Sequence, residues 1–110
     1  MRKRTVAILL AVVVAAVVAD PVLAVTKVTG TVGPGFTISM KKPTKAGKYT
    51  LVVSDKSSIH NFHLKGPGVN VKTSVAAIGS KTFKITLKKG KYTFVCDPHA
   101  SVMKGSFTIK

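Results

Sequence analysis

The most informative part of this sequence is a strand-like segment that runs directly into a short loop. The segment is Gly90-Lys91-Tyr92-Thr93-Phe94-Val95-Cys96, and it continues as Asp97-Pro98-His99-Ala100-Ser101-Val102-Met103. Tyr92, Phe94 and Cys96 alternate with their neighbours, which is the period of a strand with one buried face. Pro98 ends the run, because proline cannot donate a ladder hydrogen bond. We therefore expect Cys96 to point inward, with His99 in the loop beside it.

The same alternation recurs from residue 25 onward. Apolar residues predicted to point inward include Phe36, Ile38, Met40, Phe62, Phe83, Ile85, Leu87, Phe107 and Ile109. Glycine- and proline-rich turns separate the runs, at residues 33–35, 46–47, 66–68, 79–80 and 89–90. No window carries a sustained helical stripe, and only residues 74–78 could form a helical turn. The pattern predicts an all-β fold, either a β-sandwich or a small barrel.

Two segments of the chain resemble each other. Residues 46–53 and 89–96 both contain Gly-Lys-Tyr-Thr followed by an apolar run. One such pair is too little for a repeat fold. We therefore expect two similar hairpin starts within one sandwich, each with a tyrosine at the first inward position.

The N-terminus has the pattern of a secretory signal peptide. Met1-Arg2-Lys3-Arg4 is basic, and valine, alanine and leucine dominate residues 5–19. Asp20 ends the apolar run before it reaches the roughly 20 residues of a membrane span; a retained anchor is the alternative. We expect a signal peptide over residues 1–24 and one domain over residues 25–110, exported to the periplasm or the extracellular face of the membrane.

The charge of the chain is strongly positive, with 18 Lys and Arg against 3 Asp and Glu. A hydrophobic fraction of 45% excludes a disordered basic tail, and 110 residues exclude a multidomain enzyme. From residue 25 onward every cation is a lysine, and the net charge is +13. Such a field steers acidic partners and favours a monomer. Nucleic acid is not an expected partner. Arginine is absent from residue 25 onward, and the phenylalanines are predicted to point inward, where they cannot stack on bases.

Metal-binding side chains are few, which makes their placement informative. The sequence has one thiol, Cys96, and three histidines. A single cysteine in an exported protein is a metal ligand, a reactive thiol or half of an intermolecular bridge. His60 shares the parity of Phe62 and Leu64, so it should point inward towards Cys96. His63 has the opposite parity and is expected to be an exposed surface histidine.

One cysteine, two histidines and a methionine form the ligand set of a blue-copper electron-transfer site. Thiolate suits Cu(I), imidazole suits both oxidation states, and the thioether adds a weak axial bond. A methionine ligand argues against zinc, which takes nitrogen, thiolate and carboxylate ligands. The sequence therefore predicts one copper ion per chain, with His60, Cys96, His99 and Met103 as ligands.

The segment over residues 90–105 resembles the C-terminal copper motif of the cupredoxins, the family of plastocyanin and pseudoazurin. His60-Asn61-Phe62 is similar to the upstream ligand histidine of that family and the asparagine after it. The resemblance extends from about residue 27 to the C-terminus and implies a Greek-key β-sandwich of the cupredoxin type. It also implies that Asn61 ties the upstream ligand to the copper loop and supports the thiolate.

Two details of the loop concern the copper ligands. One is a spacing that departs from the cupredoxin pattern, and the other is a proline beside the thiolate. The Cys-to-His spacing matches plastocyanin, whereas the spacing from His99 to Met103 is one residue shorter than in plastocyanin and pseudoazurin and one longer than in amicyanin. This departure concerns the Met103 bond and leaves the other three ligands unchanged. Pro98 lacks a backbone N–H and cannot donate to the Cys96 sulfur, which favours Cu(II) and lowers the reduction potential.

The combined features predict an electron carrier, not an enzyme, that shuttles single electrons through Cu(II)/Cu(I). The expected partner is an acidic redox protein such as a cytochrome or a terminal oxidase or reductase, and the charge also predicts association with an anionic membrane surface. The exposed edge of His99 is expected to lie in an apolar patch formed by Pro34, Pro67, Pro98, Ala100 and Val102. The main alternative is a copper-delivery or copper-buffering protein with the same ligands; a second is a cupredoxin-like domain without metal.

Overall fold

A computed structural model describes residues 25–110, so the predicted signal peptide over residues 1–24 lies outside the described residues. The described chain forms eight strands: β1 (Thr26–Val32), β2 (Ile38–Met40), β3 (Gly47–Asp55), β4 (His63–Gly66), β5 (Val69–Lys72), β6 (Gly79–Leu87), β7 (Gly90–Val95) and β8 (Lys104–Ile109). One 3₁₀ turn over Asp97–His99 is the only helical segment of this part of the chain. Residues 25–110 contain no helix that is long and apolar enough to cross a membrane.

The strands form two four-stranded sheets. One sheet has the order β2-β1-β3-β6 and the other has the order β5-β4-β7-β8. β1 and β3 run parallel, and the other pairs are antiparallel. The apolar faces of the two sheets enclose the core. The predicted all-β sandwich is therefore confirmed.

The two Gly-Lys-Tyr-Thr segments do start strands, but only the second starts a hairpin, in which β7 pairs antiparallel with the next strand, β8. β3 pairs with β1 and β6 rather than with β2, and the chain crosses to the other sheet between β6 and β7. Gly47 and Gly90 open their strands at φ values of 153° and 138°, where a side chain would be strained. Tyr49 and Tyr92 each donate a hydroxyl hydrogen bond to the carbonyl four residues earlier, at 2.7 and 3.1 Å. The similarity thus encodes one local strand entry, used once in each sheet.

Aromatic rings fill the space between the sheets. Phe62 stacks on Phe94 with ring centroids 5.7 Å apart, and Tyr92 stacks on Phe107 at 5.3 Å. Phe83 is partly buried against the same core. Burial of this apolar area, at about 25 cal/mol per Å², is the main favourable term in folding. Among the phenylalanines predicted to point inward, Phe36 is the exception described below.

Glycine is required where a ring lies flat against a neighbouring strand. Gly105 lies opposite Phe94 in the β7–β8 ladder, and a Cβ at this position would overlap the Phe94 ring. We predict that Gly105→Ala lowers the free energy of unfolding of the metal-free protein by about 1–3 kcal/mol, because the core has no room to relax around the methyl. Urea denaturation measures this change.

The matched control is Gly35→Ala, since a Cβ at Gly35 meets no atom within 4 Å. It should change stability by less than about 0.5 kcal/mol. Equal stability of the two variants would contradict the packing of Phe94 on Gly105.

Candidate metal centre

The β4–β7 pair brings two distant parts of the chain together at one end of the sandwich. Its ladder sets His63 opposite Val95, so the antiparallel register continues with the segment before β4 opposite the loop after β7. Asn61 and Asp97 extend the pairing: Asn61 Nδ2 donates to Asp97 Oδ2 at 2.9 Å, and the Asp97 N–H donates to Asn61 Oδ1 at 2.8 Å. These reciprocal bonds hold the segment before β4 against the loop that follows β7.

The loop over residues 96–103 is closed at its base by the backbone. The Cys96 N–H donates to the Met103 carbonyl at 3.0 Å, and the Met103 N–H donates to the His99 carbonyl at 2.9 Å. Pro98 lies in the first turn of the 3₁₀ segment, where its missing N–H leaves no intrahelical bond unmade. The loop therefore holds a thiol, an imidazole and a thioether within one short, braced turn.

Three donor atoms from the two segments converge. His60 Nδ1 lies 3.1 Å from His99 Nδ1 and 3.7 Å from Cys96 Sγ, and His99 Nδ1 lies 3.5 Å from the same sulfur. Bonds of about 2.0 Å to imidazole and about 2.3 Å to thiolate place donor atoms of one ion roughly 3–4 Å apart. The three atoms are thus spaced to share a single ion. Thiolate with imidazole is a donor set that suits copper.

The surroundings of the sulfur are dry. His60, Cys96 and Met103 have no exposed surface, while His99 is half-buried and forms the outer side of the cluster. The Asn61 N–H donates to Cys96 Sγ at 3.4 Å. Three of the four predicted ligands, His60, Cys96 and His99, are therefore brought together, and Met103 is buried at the end of the same loop.

Phe36 corrects one prediction from the sequence. It was expected in the core, but its side chain is 57% exposed and its ring packs edge-on against the rings of His60 and His99, with centroids 5.0 and 4.8 Å away. The parity fails because residues 33–37 form a loop closed by the Gly33 N–H and the Thr37 carbonyl at 2.9 Å, and β2 begins only afterwards. Sequence alternation alone carried no signal for this contact.

Four of the five residues predicted to form an apolar patch around His99 are exposed. They are Pro34, Pro98, Ala100 and Val102, and the exposure of Val102 reaches 67%. Pro67 was wrongly included, because it lies beside Gly90 and its carbonyl accepts the Tyr92 hydroxyl at 3.0 Å. Gly90 starts β7 and Cys96 follows its end, so Pro67 belongs to the opposite end of the sandwich.

His63 points away from the core as its parity predicts, but it is not the exposed histidine expected from the sequence. Its side chain is 11% exposed, its Nδ1 lies 2.9 Å from Asp97 Oδ1, and its Nε2 lies 2.7 Å from Asn70 Oδ1. Burial acts to raise the pKa of Asp97, but hydrogen bonds from Asn61 and His63 hold it below its usual value. The ionised carboxylate therefore stabilises the fold above the unfolded pKa of about 3.9, and this contribution disappears as the pH falls through the lower folded pKa.

Comparisons with known proteins agree with this geometry. The model of the family described as copper binding proteins, plastocyanin/azurin family, matches residues 12–110. Reduced rusticyanin at 1.9 Å is 23% identical with a TM-score of 0.60, and the match covers 78% of this chain and 79% of that chain. Auracyanin A, a blue copper protein from the green thermophilic photosynthetic bacterium Chloroflexus aurantiacus, is 14% identical with a TM-score of 0.53, over 79% of this chain and 100% of that chain. A search of curated protein sequences gave no significant match.

The fold, the cluster and the family match define a cupredoxin. The chain belongs to the plastocyanin/azurin family of copper-binding proteins. Its cofactor is copper, and His60, Cys96 and His99 are positioned for a single copper site.

The bracing role of Asn61 can be measured in the metal-free protein. Asn61→Ala removes both bonds to Asp97 and the 3.3 Å bond to the carbonyl of the buried Thr73, so three hydrogen bonds are lost together. We predict a loss of about 3 kcal/mol in the free energy of unfolding, measured by urea denaturation.

Asn70→Ala is the control, because this exposed asparagine has one side-chain bond, to His63. Its loss should be below about 1 kcal/mol. Similar losses in the two variants would show that Asn61 does not brace the loop.

Proposed function

We propose that this protein is an exported type 1 blue copper protein that shuttles single electrons between redox partners, with His60, Cys96, His99 and Met103 as the copper ligands. The convergence of two imidazole nitrogens and a thiol within 3.1–3.7 Å of one another, in a buried pocket with one half-buried histidine, carries the proposal. Members of the family are generally electron carriers. Copper supplies the one-electron Cu(II)/Cu(I) couple when bound.

The protein's own residues account for the behaviour required of a carrier. Buried His60, Cys96 and Met103 exclude water from the centre, and the Asn61–Asp97 bonds limit movement of the donor atoms. A site that is already arranged changes little between oxidation states. The half-buried edge of His99, beside exposed Val102, offers the shortest path between the centre and a partner's surface.

The same contacts favour a carrier over a copper-delivery or copper-buffering protein. A donor protein must open its site to transfer the metal, whereas here the backbone bond between Cys96 and Met103 closes the loop. The Phe36 ring covers both imidazoles from outside. We therefore expect slow copper exchange with chelators, and fast exchange would favour delivery.

The remaining parts of the proposal concern context. The signal pattern over residues 1–24 supports export to the periplasm or the extracellular face of the membrane. A net charge of +13 after residue 24 supports a monomer and an acidic redox partner such as a cytochrome or a terminal oxidase or reductase. No catalytic residue is assigned.

A Cu(II) titration followed by visible absorption tests the copper site. We predict an intense blue thiolate-to-copper band that saturates at one equivalent. The band should be absent in Cys96→Ala and weak or shifted in His60→Ala, because both side chains belong to the cluster.

His63→Ala is the matched control, since His63 bonds to Asp97 and Asn70 rather than to the cluster. It should keep the blue band. A pale complex in the unaltered protein, or a band that survives in Cys96→Ala, would reject the blue-copper assignment.

The reduction potential tests the role of Pro98. Asn61 supplies a backbone N–H to Cys96 Sγ, and Pro98 has none to offer. Pro98→Ala introduces an N–H, and a hydrogen bond of about 1 kcal/mol to the thiolate would raise the midpoint potential by about 40 mV. Cyclic voltammetry measures the change, with Pro67→Ala at the far end of the sandwich as the control. An unchanged or lower potential in Pro98→Ala would refute this role.

A further inference from the structure

The outer face of the β5-β4-β7-β8 sheet carries a shallow groove of about 650 Å³. Three lysines, Lys65, Lys91 and Lys104, stand along it, with the short side chains of Thr93 and Ser106 between them. We call this feature the lysine groove. All five residues are solvent-exposed or, for Ser106, half-buried.

The strand register explains the shape of the lysine groove. Lys65 on β4 lies opposite Thr93 on β7, and Thr93 lies opposite Ser106 on β8. Residues directly opposite in a ladder point to the same face. One row across the three strands therefore places a long cation at the rim and two small hydroxyl side chains in the centre. Lys104 and Lys91 stand on either side of this row along the strands.

The positive charge of the lysine groove is not neutralised by the protein itself. The domain has two acids. Asp97 lines the end of the groove, but its carboxylate accepts bonds from Asn61 and His63. Asp55 belongs to the other sheet, where it is 3% exposed. The three ammonium groups are thus free to attract carboxylates from another molecule.

The position of the lysine groove connects it to the metal centre. Val95 lines the groove and directly precedes Cys96, and Asp97 and Ala100 extend the lining onto the copper loop. The outer face of the other sheet is basic too, with Lys48 and Lys84 along a second groove, but no residue of the loop lines it. Both sheets therefore have a basic outer face, but only the lysine groove on the β5-β4-β7-β8 sheet lies next to the copper site.

We propose that the lysine groove is the docking site for an acidic peptide segment of the redox partner, lying along β7 with its carboxylates on Lys65, Lys91 and Lys104. The inference rests on the proposed function, because it names where the partner of that function binds. Exposed ion pairs contribute little affinity each and mainly accelerate association. Binding is therefore weak, fast and sensitive to salt.

A nuclear magnetic resonance titration of the copper-loaded, ascorbate-reduced protein tests the proposal, with deca-glutamate as the probe and deca-glutamine as its neutral control. The expected result is amide shift changes concentrated at Thr93, Val95, Lys104 and Ser106 at low salt. The changes should disappear at about 0.5 M salt, where screening is strong. Deca-glutamine should give none.

Two triple variants with the same change in net charge separate the groove from general electrostatics. K65Q/K91Q/K104Q should weaken deca-glutamate binding about tenfold, since each exposed pair contributes about 0.5 kcal/mol. K27Q/K48Q/K84Q, on the outer face of the other sheet, should weaken it less than about threefold because those charges act only at long range. Equal weakening would overturn the proposal.

Two further results would also overturn it: shift changes confined to the Phe36 and Val102 end, and groove shifts produced by phosphatidylglycerol vesicles but not by deca-glutamate. The proposed function is tested by a different measurement: it fails if the Cu(II) titration gives no blue band. The peptide titration can then be repeated on the metal-free protein, so the two failures are distinguishable.

Discussion

The pairing of β4 with β7, continued beyond the ladder by Asn61 and Asp97, is the constraint on which the metal centre depends. Cys96 and His99 lie in one loop, whereas His60 comes from a segment 36 residues before the cysteine. No short stretch of chain connects that histidine to the loop, so contacts between distant segments must hold it there. The reciprocal side-chain and backbone bonds of Asn61 and Asp97 do so, and the Asn61 N–H also bonds to the thiol sulfur. Asn61 therefore has two roles: it stabilises the fold through its bonds to Asp97, and it donates a hydrogen bond to the sulfur.

Much of the fold and the donor cluster could be predicted from the sequence because both depend on strand parity. Alternation placed His60 and Cys96 on inward faces, and the structure buries both. The errors fall where parity does not apply. Phe36 lies in a loop closed by a backbone bond, and Pro67 lies in a turn whose end of the sandwich depends on topology. The parallel pairing of β1 with β3 had no local signal either.

His63 shows a different limit of sequence reasoning. Its outward direction followed from parity, but its partial burial depends on Asn70, which reaches it from β5, and on Asp97, which reaches it from the loop after β7. A spacing of 34 residues between His63 and Asp97 gives no hint of the contact. The sequence indicated which face the side chain takes, and only the assembled sheet shows which partners cover it. The family match and the fold confirm the cupredoxin resemblance, while the roles of individual ligands rest on the proposals above.

The closure of the 96–103 loop has a consequence for how such a protein can diversify. Because the Cys96 N–H and the Met103 carbonyl bond at 3.0 Å, the loop leaves and rejoins the sandwich through one fixed pair of backbone atoms. Residues 100–102, which do not bond to Asn61 and lie outside the donor cluster, can therefore vary in number and type without shifting the register of β7 against β8. The strand pairing of the sandwich then stays the same while the sequence and length of the loop change. Variation in its length would alter the thioether's reach and the shape of the exposed tip.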